Sequence, residues 1–174
     1  MSTSKSRFLT ALWGLPGLLT LLTLGLDQLT KWIVCQVWPT PGANAQYVVI
    51  DGIFRLVHWR NPGAAWGMFG GATWLLACVS LVASLAIIIC FRKLTEDKAI
   101  MALPLGILLG GILGNFIDRA FFEGGVVDFI SVGWWPAFNV ADSAICCTMV
   151  FMVVVTLKET WCKGKKHHHA NENE

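Results

Sequence analysis

Two aspartates in the second half of the chain have the residue type and the surroundings for acid–base chemistry. Asp128 interrupts the apolar run 126–130, and Asp142 lies at the start of the uncharged segment 143–157. A carboxylate among so many apolar side chains is costly unless it has a partner or a chemical role. Two carboxylates held together in a partly desolvated site share a proton, which leaves one as base and the other as acid. Such a pair can activate water for attack on a carbonyl group, as in aspartic proteases.

Asp142 also has a structural interpretation. Asn139 and Asp142 have the spacing of a capping box, so helix capping alone could account for both residues. A helix N-terminus favours negative charge. We therefore expect Asp128 to hold the shared proton more often than Asp142.

Other polar residues lie close to the ends of apolar segments. Asp27 and Lys31 share one helix face in the acid-first order, which predicts a structural ion pair. Asn115, Asp118 and Arg119 close the third apolar segment. For Asp118 and Arg119 we favour a scaffolding role that clamps the following loop, with direct chemistry as the alternative.

The elements that position these residues are predicted membrane helices. The segments 8–26, 72–91, 99–117 and 143–157 contain no charged residue, and about 20 apolar residues span a bilayer. The sequence predicts an all-α integral membrane protein, a four-transmembrane-helix bundle in one domain over 1–162. Residues 163–174 are polar and predicted to be disordered. Gly106, Gly110 and Gly114 recur at helical spacing and predict close helix packing.

Composition excludes several classes of protein. Hydrophobic residues make up 55% of the chain and charged residues 14%, against about 25% charged in soluble domains. The net charge of +2, with no basic cluster interleaved with aromatics, argues against a nucleic-acid partner. The basic start and its apolar run are interpreted as an uncleaved first span, because no cleavage site follows the run closely. Cysteines inside the spans are interpreted as packing residues.

Loop charges predict the orientation. Lys and Arg are concentrated in 1–7, 92–98 and 158–174 rather than in 38–71 and 119–138, which places both termini in the cytoplasm and the acidic residues at the outer face. Residues 46–51 and 53–59 predict two short strands around Asp51-Gly52, within a small extracytoplasmic β-sheet over 45–70. Residues 123–136 are interpreted as a second outer loop.

Five short blocks along residues 27–142 resemble the motifs of bacterial lipoprotein signal peptidase, also called signal peptidase II. In order, the blocks are Asp27-Gln28-Leu29-Thr30-Lys31, Asn61-Pro62-Gly63-Ala64-Ala65-Trp66-Gly67, Gly114-Asn115-Phe116-Ile117-Asp118-Arg119, Val126-Val127-Asp128-Phe129 and Phe138-Asn139-Val140-Ala141-Asp142. Five blocks in the right order are far more specific than any single block.

The resemblance implies a membrane aspartyl endopeptidase that removes the signal peptide from diacylglyceryl-modified prolipoproteins, cutting just before the lipidated cysteine. It implies Asp128 and Asp142 as the catalytic pair, and a mobile outer segment over 119–136. It implies further that the remaining block residues bind substrate or support the site: Asp27, Lys31, Asn61, Gly63, Ala64, Trp66, Asn115, Asp118, Arg119, Asn139 and Ala141. Its expected partners are prolipoproteins and membrane lipid, in the bacterial cytoplasmic (inner) membrane, and we expect a monomer.

Alternative functions make different demands on the residues. A proton-conducting or transport subunit would spread its acids across the membrane depth, and a purely structural factor would tolerate Asn at positions 128 and 142. A Ser–His or Cys–His dyad would have to use His58, and its position inside a predicted strand argues against one. We expect no cofactor and no functional metal site, and interpret the run His167-His168-His169 as adventitious at most.

Overall fold

The protein has four long helices and three short strands. The structure is a computed structural model that describes residues 2–63, 71–96 and 99–171, with side chains described over 14–63, 71–96 and 99–161. In chain order the elements are α1 (Ser2–Val37), β1 (Gln46–Ile50), β2 (Phe54–Asn61), α2 (Thr73–Thr95), α3 (Ala102–Phe121), β3 (Val126–Val132) and α4 (Val140–Asn171). One turn of 3₁₀ helix, Ala99–Met101, leads into α3.

Four helices within the described residues are long and apolar enough to cross a membrane. The spans are Gly14–Val37, Thr73–Thr95, Ala99–Phe121 and Val140–Trp161. In the third span 50% of the residues are buried inside the protein, whereas in the other spans 17% or fewer are buried. Helix α3 is therefore the centre of the bundle, and the outward faces of the other helices carry exposed apolar side chains suited to lipid. The predicted fold class is confirmed.

The glycine stripe of α3 allows α1 to approach closely. A Cβ atom on Gly110 would lie 2.6 Å from the Thr20 carbonyl oxygen and 2.8 Å from Thr23 Cβ. Gly106 meets the backbone of Pro16 in the same way, and Gly114 meets the Asp27 carboxylate. Small residues at such positions let helix backbones pack together in lipid. The predicted packing role of the stripe is confirmed.

The sheet brings together two connections that are far apart in the sequence. Strand β2 lies in the middle and pairs antiparallel with β1 on one side and β3 on the other. The first two strands agree with the sequence prediction within a few residues. The interpretation of 123–136 as loop alone is wrong, because Val126–Val132 forms β3. Its buried apolar side chains and its hydrogen-bonding partner β2 stabilise this run as a strand.

The sheet lies at one end of the bundle. Its strands come from the connection between α1 and α2 and from that between α3 and α4. Because consecutive spans run in opposite directions, these two connections lie on the same side of a membrane. The connection between α2 and α3 lies on the opposite side.

The end of the chain differs from its prediction. Helix α4 continues to Asn171, so it includes most of the segment from residue 163 that the sequence predicts to be disordered. Lysine is a good helix former, and extending an existing helix is far less costly than starting one. The division into one domain and a tail stays a prediction.

The packing of α3 against α1 yields a stability test. Gly110→Ala should lower the free energy of unfolding by ~1–3 kcal/mol, because the added methyl collides with backbone and Cβ atoms of α1. Gly25→Ala on α1 is the matched control, since a Cβ there meets no atom within 4 Å, and it should leave stability unchanged or raise it. Detergent-titration unfolding measures both. Equal effects of the two substitutions would contradict the close contact.

Candidate active site

A buried ion cluster joins α1 and α3 at the sheet end of the bundle. The Lys31 ammonium lies 2.7 Å from Asp27 Oδ2 and 3.1 Å from Asp118 Oδ2. All three side chains are almost completely buried. Charges at such depth are stable only when they are paired and hydrogen-bonded. The predicted pairing of Asp27 with Lys31 is confirmed, and Asp118 is a further member of the cluster.

Each carboxylate of the cluster also accepts a backbone N–H from a neighbouring element. Asp27 Oδ1 accepts the N–H of Ala141 at 2.9 Å, in the first turn of α4. Asp118 Oδ2 accepts the N–H of Val127 at 3.1 Å, in β3. The predicted clamping role of Asp118 on the following segment is confirmed by that bond. The residues held in this way directly precede Asp142 and Asp128.

Asn115 connects the ion cluster to Asp142. Its Oδ1 accepts a hydrogen bond from Lys31 Nζ at 3.0 Å, and its Nδ2 donates to Asp142 Oδ1 at 2.7 Å. Because the ammonium can only donate, it fixes the orientation of the amide. The amide N–H groups of Asn115 therefore point toward Asp142.

Asn139 bonds to both aspartates. It forms the predicted capping box with Asp142: Asn139 Oδ1 accepts the N–H of Asp142 at 2.9 Å, and Asp142 Oδ2 accepts the N–H of Asn139 at 3.2 Å. Its amide Nδ2 donates to Asp128 Oδ1 at 2.7 Å. Helix capping and the meeting of the two aspartates are therefore compatible, because one asparagine serves both.

Asp128 is held from the opposite side by Asn61, whose Nδ2 donates to Asp128 Oδ2 at 3.1 Å. Asn61 Oδ1 accepts the N–H of Gly63 at 3.0 Å. Gly125 allows this approach of β3 to the end of β2, since it has a φ of +86° and a Cβ there would collide with the backbone of Asn61. The side chain of Asp128 is only 2% exposed.

The surroundings of Asp128 favour its protonated form. Burial, and secondly the negative charge of Asp142, raise the pKa of the Asp128 carboxyl to about 7, although the amides of Asn61 and Asn139 oppose the shift. Asp142 is only half-buried. The more buried carboxyl, that of Asp128, therefore holds a proton near neutral pH, in agreement with the expectation from the helix N-terminus at Asp142.

Both aspartates line one cavity of about 490 Å³. Its walls combine the polar groups of the site with apolar side chains from the segment before α4 and from the first turns of α4. The lining residues are Asn61, Arg119, Val126, Asp128, Trp135, Pro136, Ala137, Phe138, Asp142, Ser143, Cys146 and Cys147. A mostly apolar pocket with a few convergent polar groups is typical of a site for a peptide or other ligand.

Arg119 brings a positive charge to this cavity. Its Nη1 donates to the Asn115 carbonyl oxygen at 3.4 Å and its Nη2 to the Gly63 carbonyl oxygen at 3.3 Å. Its buried Nε has no hydrogen-bond partner among the described residues. Arg119 does not clamp the loop after α3 as predicted, because its side chain bonds to the loop before α2 instead. The end of β2 pairs with β3, the strand that follows α3, and this pairing brings Gly63 within reach of Arg119.

Comparison with known proteins identifies the family. The model of the protein family described as signal peptidase (SPase) II matches residues 19–158 of this chain. The chain belongs to the signal peptidase II family. A protein named lipoprotein signal peptidase from Rhodococcus jostii (strain RHA1) is 44% identical over 141 residues, which cover 78% of this chain and 69% of that protein. Another from Syntrophomonas wolfei subsp. wolfei (strain DSM 2245B / Goettingen) is 37% identical over 138 residues, which cover 79% and 89%.

A solved structure of a bacterial membrane enzyme agrees with the family assignment. It superposes with a TM-score of 0.77 at 31% identity and covers 84% of this chain and 90% of its own. The predicted family and enzyme class are confirmed: the chain is a multi-pass membrane hydrolase of the signal peptidase II type.

The structure brings most of the predicted signal peptidase II site residues together. Ala64 and Trp66 lie outside the described residues. Sequence reasoning omitted Gln28, whose Nε2 donates to Asp27 Oδ2 at 3.3 Å and Asp118 Oδ1 at 3.0 Å. The sequence signal that could have identified Gln28 is an amide side chain directly after Asp27 in an otherwise apolar helix. The cavity walls from α4 were also missed, although Cys146 follows Asp142 by four residues and so shares its helix face.

The coupling of the two aspartates can be measured by titration. Asp142→Asn should lower the pKa of Asp128 from about 7 toward the ordinary range, because it removes a neighbouring negative charge. Infrared difference spectra follow the carboxyl band of Asp128, assigned by its loss in Asp128→Asn. Asp51→Asn, which changes an exposed carboxylate in the turn after β1, is the control and should leave the titration unchanged. An unchanged pKa of Asp128 in Asp142→Asn would contradict the coupling of the two carboxyl groups.

Proposed function

We propose that the protein is an aspartyl endopeptidase that removes the signal peptide from diacylglyceryl-modified prolipoproteins, cutting before the lipidated cysteine. Asp128 and Asp142 are its catalytic pair. The observation that carries the proposal is that one asparagine, Asn139, bonds to both carboxylates at the wall of one cavity. The substrate class is supported by relatives of 44% and 37% identity that are named lipoprotein signal peptidase.

The chemistry follows from the different surroundings of the two acids. Asp142 is the base that takes a proton from water, and the water attacks the carbonyl carbon of the peptide bond before the cysteine. Asp128, with a pKa raised to about 7, is the acid that protonates the carbonyl oxygen. Asp142 then gives its proton to the amine nitrogen as the C–N bond breaks. A hydroxyl proton of the tetrahedral intermediate returns to Asp128, which forms the new carboxyl product and restores the shared-proton state of the pair.

Asn61, Asn115 and Asn139 hold the pair in this state. Each donates an amide hydrogen to a carboxylate oxygen of Asp128 or Asp142, which keeps the carboxyl groups oriented without supplying a second charge. Arg119 is a substrate-positioning residue whose charge lies in the cavity wall. Asp27 and Asp118 support the site through backbone N–H groups, and Lys31 supports it through the Asn115 amide.

The position of the cavity fits a lipid-anchored substrate. The cavity runs from Asp142 along the first turns of α4, past Cys146 and Cys147, into the depth of a membrane span. An apolar signal helix can lie against the bundle there while the acyl chains stay in lipid. The lysine and arginine distribution supports both termini in the cytoplasm and the sheet end at the outer face. We propose that one chain acts as a monomer, since both acids come from the same chain.

Cleavage of a lipidated prolipoprotein tests this proposal. Asp128→Asn and Asp142→Asn should each lower the single-turnover rate by ~10³-fold or more, because each removes one partner of the acid–base pair. Purified variants in lipid nanodiscs are incubated with the substrate, and the product is followed by gel shift. Asp51→Asn is the matched control and should cleave at the wild-type rate.

Cleavage should also decline as the pH rises through about 7, because Asp128 then loses the proton that it must donate. Undiminished processing by both Asn variants, with thermal midpoints like that of the wild type, would reject the proposed mechanism.

A further inference from the structure

A second cluster of reactive side chains lies on the other face of β2 from Asp128. In β2, Trp59 stands opposite Asp128 of β3, and Arg60 stands opposite Val127. Side chains alternate between the two faces of a strand, so Arg60 points to the face that packs against the end of α1. Val127 is buried there against that helix. His58 shares this face and contacts α1.

The surroundings of His58 fix its tautomer. Its Nδ1 lies 2.6 Å from the carbonyl oxygen of Trp38, and the ring is 2% exposed. A carbonyl oxygen only accepts hydrogen bonds, so the proton must be on Nδ1. In the neutral ring, Nε2 then carries a lone pair, and this atom lies 3.7 Å from Cys35 Sγ.

Arg60 approaches the same sulfur atom. Its Nη2 donates to Cys35 Sγ at 3.9 Å, while its Nη1 donates to the Gly125 carbonyl oxygen at 3.1 Å. The second bond anchors the guanidinium beside the sulfur. A nucleophile within reach of a base, with the base oriented by a third group, is the arrangement of an activated nucleophile. A Cys–His dyad at His58 was not expected from the sequence, because His58 lies inside a predicted strand and no local pattern indicates that α1 ends beside β2.

We infer that Cys35, His58 and Arg60 form a thiol-exchange site that accepts small-molecule disulfides. The Cys35 sulfur attacks one sulfur of the disulfide, a new S–S bond forms, and the S–S bond of the small molecule breaks. Cys35 is oxidised to a mixed disulfide and the released sulfur is reduced. The thiol proton passes to His58 Nε2 and then to the departing thiolate.

Both geometry and location support exchange at this cysteine. The side chain of Cys35 is half-buried, so its sulfur is accessible while it keeps its two partners. Positively charged and imidazole neighbours are typical of reactive cysteines. The cluster lies at the sheet end of the bundle, which the proposed orientation assigns to the outer face, where disulfides persist. Cys35 lies near the end of the first span, whereas Cys78, Cys90, Cys146 and Cys147 in the other spans form no hydrogen bond with a histidine or arginine side chain among the described residues.

Reaction with the aromatic disulfide dithiodipyridine tests the inference. The full chain in phosphatidylcholine nanodiscs is treated with the reagent, and peptide mass spectrometry follows the adduct on Cys35. We expect the modification rate to fall by ~10-fold in His58→Gln, which removes the base, and by several-fold in Arg60→Gln, which removes the charge.

The matched control moves the thiol by one residue along the same helix. The double variant Cys35→Ser with Gln36→Cys keeps the thiol at the same depth, at a position that is exposed but directed away from His58. It should react ~10-fold more slowly than Cys35 in the wild type, despite its better access. If His58→Gln does not fold, the comparison of the moved thiol with Cys35 still tests the inference. A moved thiol that reacts as fast as Cys35, or an unchanged rate in a folded His58→Gln, would overturn the inference.

Discussion

One buried ammonium group holds the functional end of this protein together. Lys31 of α1 lies between the carboxylates of Asp27, on the same helix, and Asp118, on α3. None of these charges could remain in an apolar bundle alone, since an unpaired charge in such surroundings costs several kcal/mol. With both carboxylates paired, the two helices are fixed to each other at the depth where the site begins.

The same cluster determines where the proposed catalytic aspartates lie. Its two carboxylates accept the N–H groups of Ala141 and Val127, and each of these residues directly precedes an aspartate of the pair. The ammonium also orients Asn115, which in turn donates to Asp142. The cluster therefore contributes to the site through the backbone and through one amide. This explains how five sequence blocks on separate elements act on one cavity.

The sequence predicted the parts of the structure that depend on local patterns. Four uncharged segments indicated the spans, and the spacing of Asn139 and Asp142 indicated the capping box. Strand β3 was missed, because its stabilising partner β2 lies far away in the sequence and a short apolar run has no periodicity of its own. His58 was assigned to a strand and Cys35 received no role, since only the packing of α1 against the sheet brings the two side chains together. Local patterns do not encode such long-range contacts.

The central role of Lys31 is tested most directly by the free energy of unfolding of Lys31→Met, measured by detergent titration. The substitution keeps an unbranched side chain that is one atom shorter and removes the charge, leaving two buried carboxylates without their cation. A decrease of ~3–5 kcal/mol is expected for breaking a buried pair of this kind. Lys93→Met at an exposed position of α2 should change stability little and serves as the reference. A loss from Lys31→Met no larger than that from Lys93→Met would contradict the account.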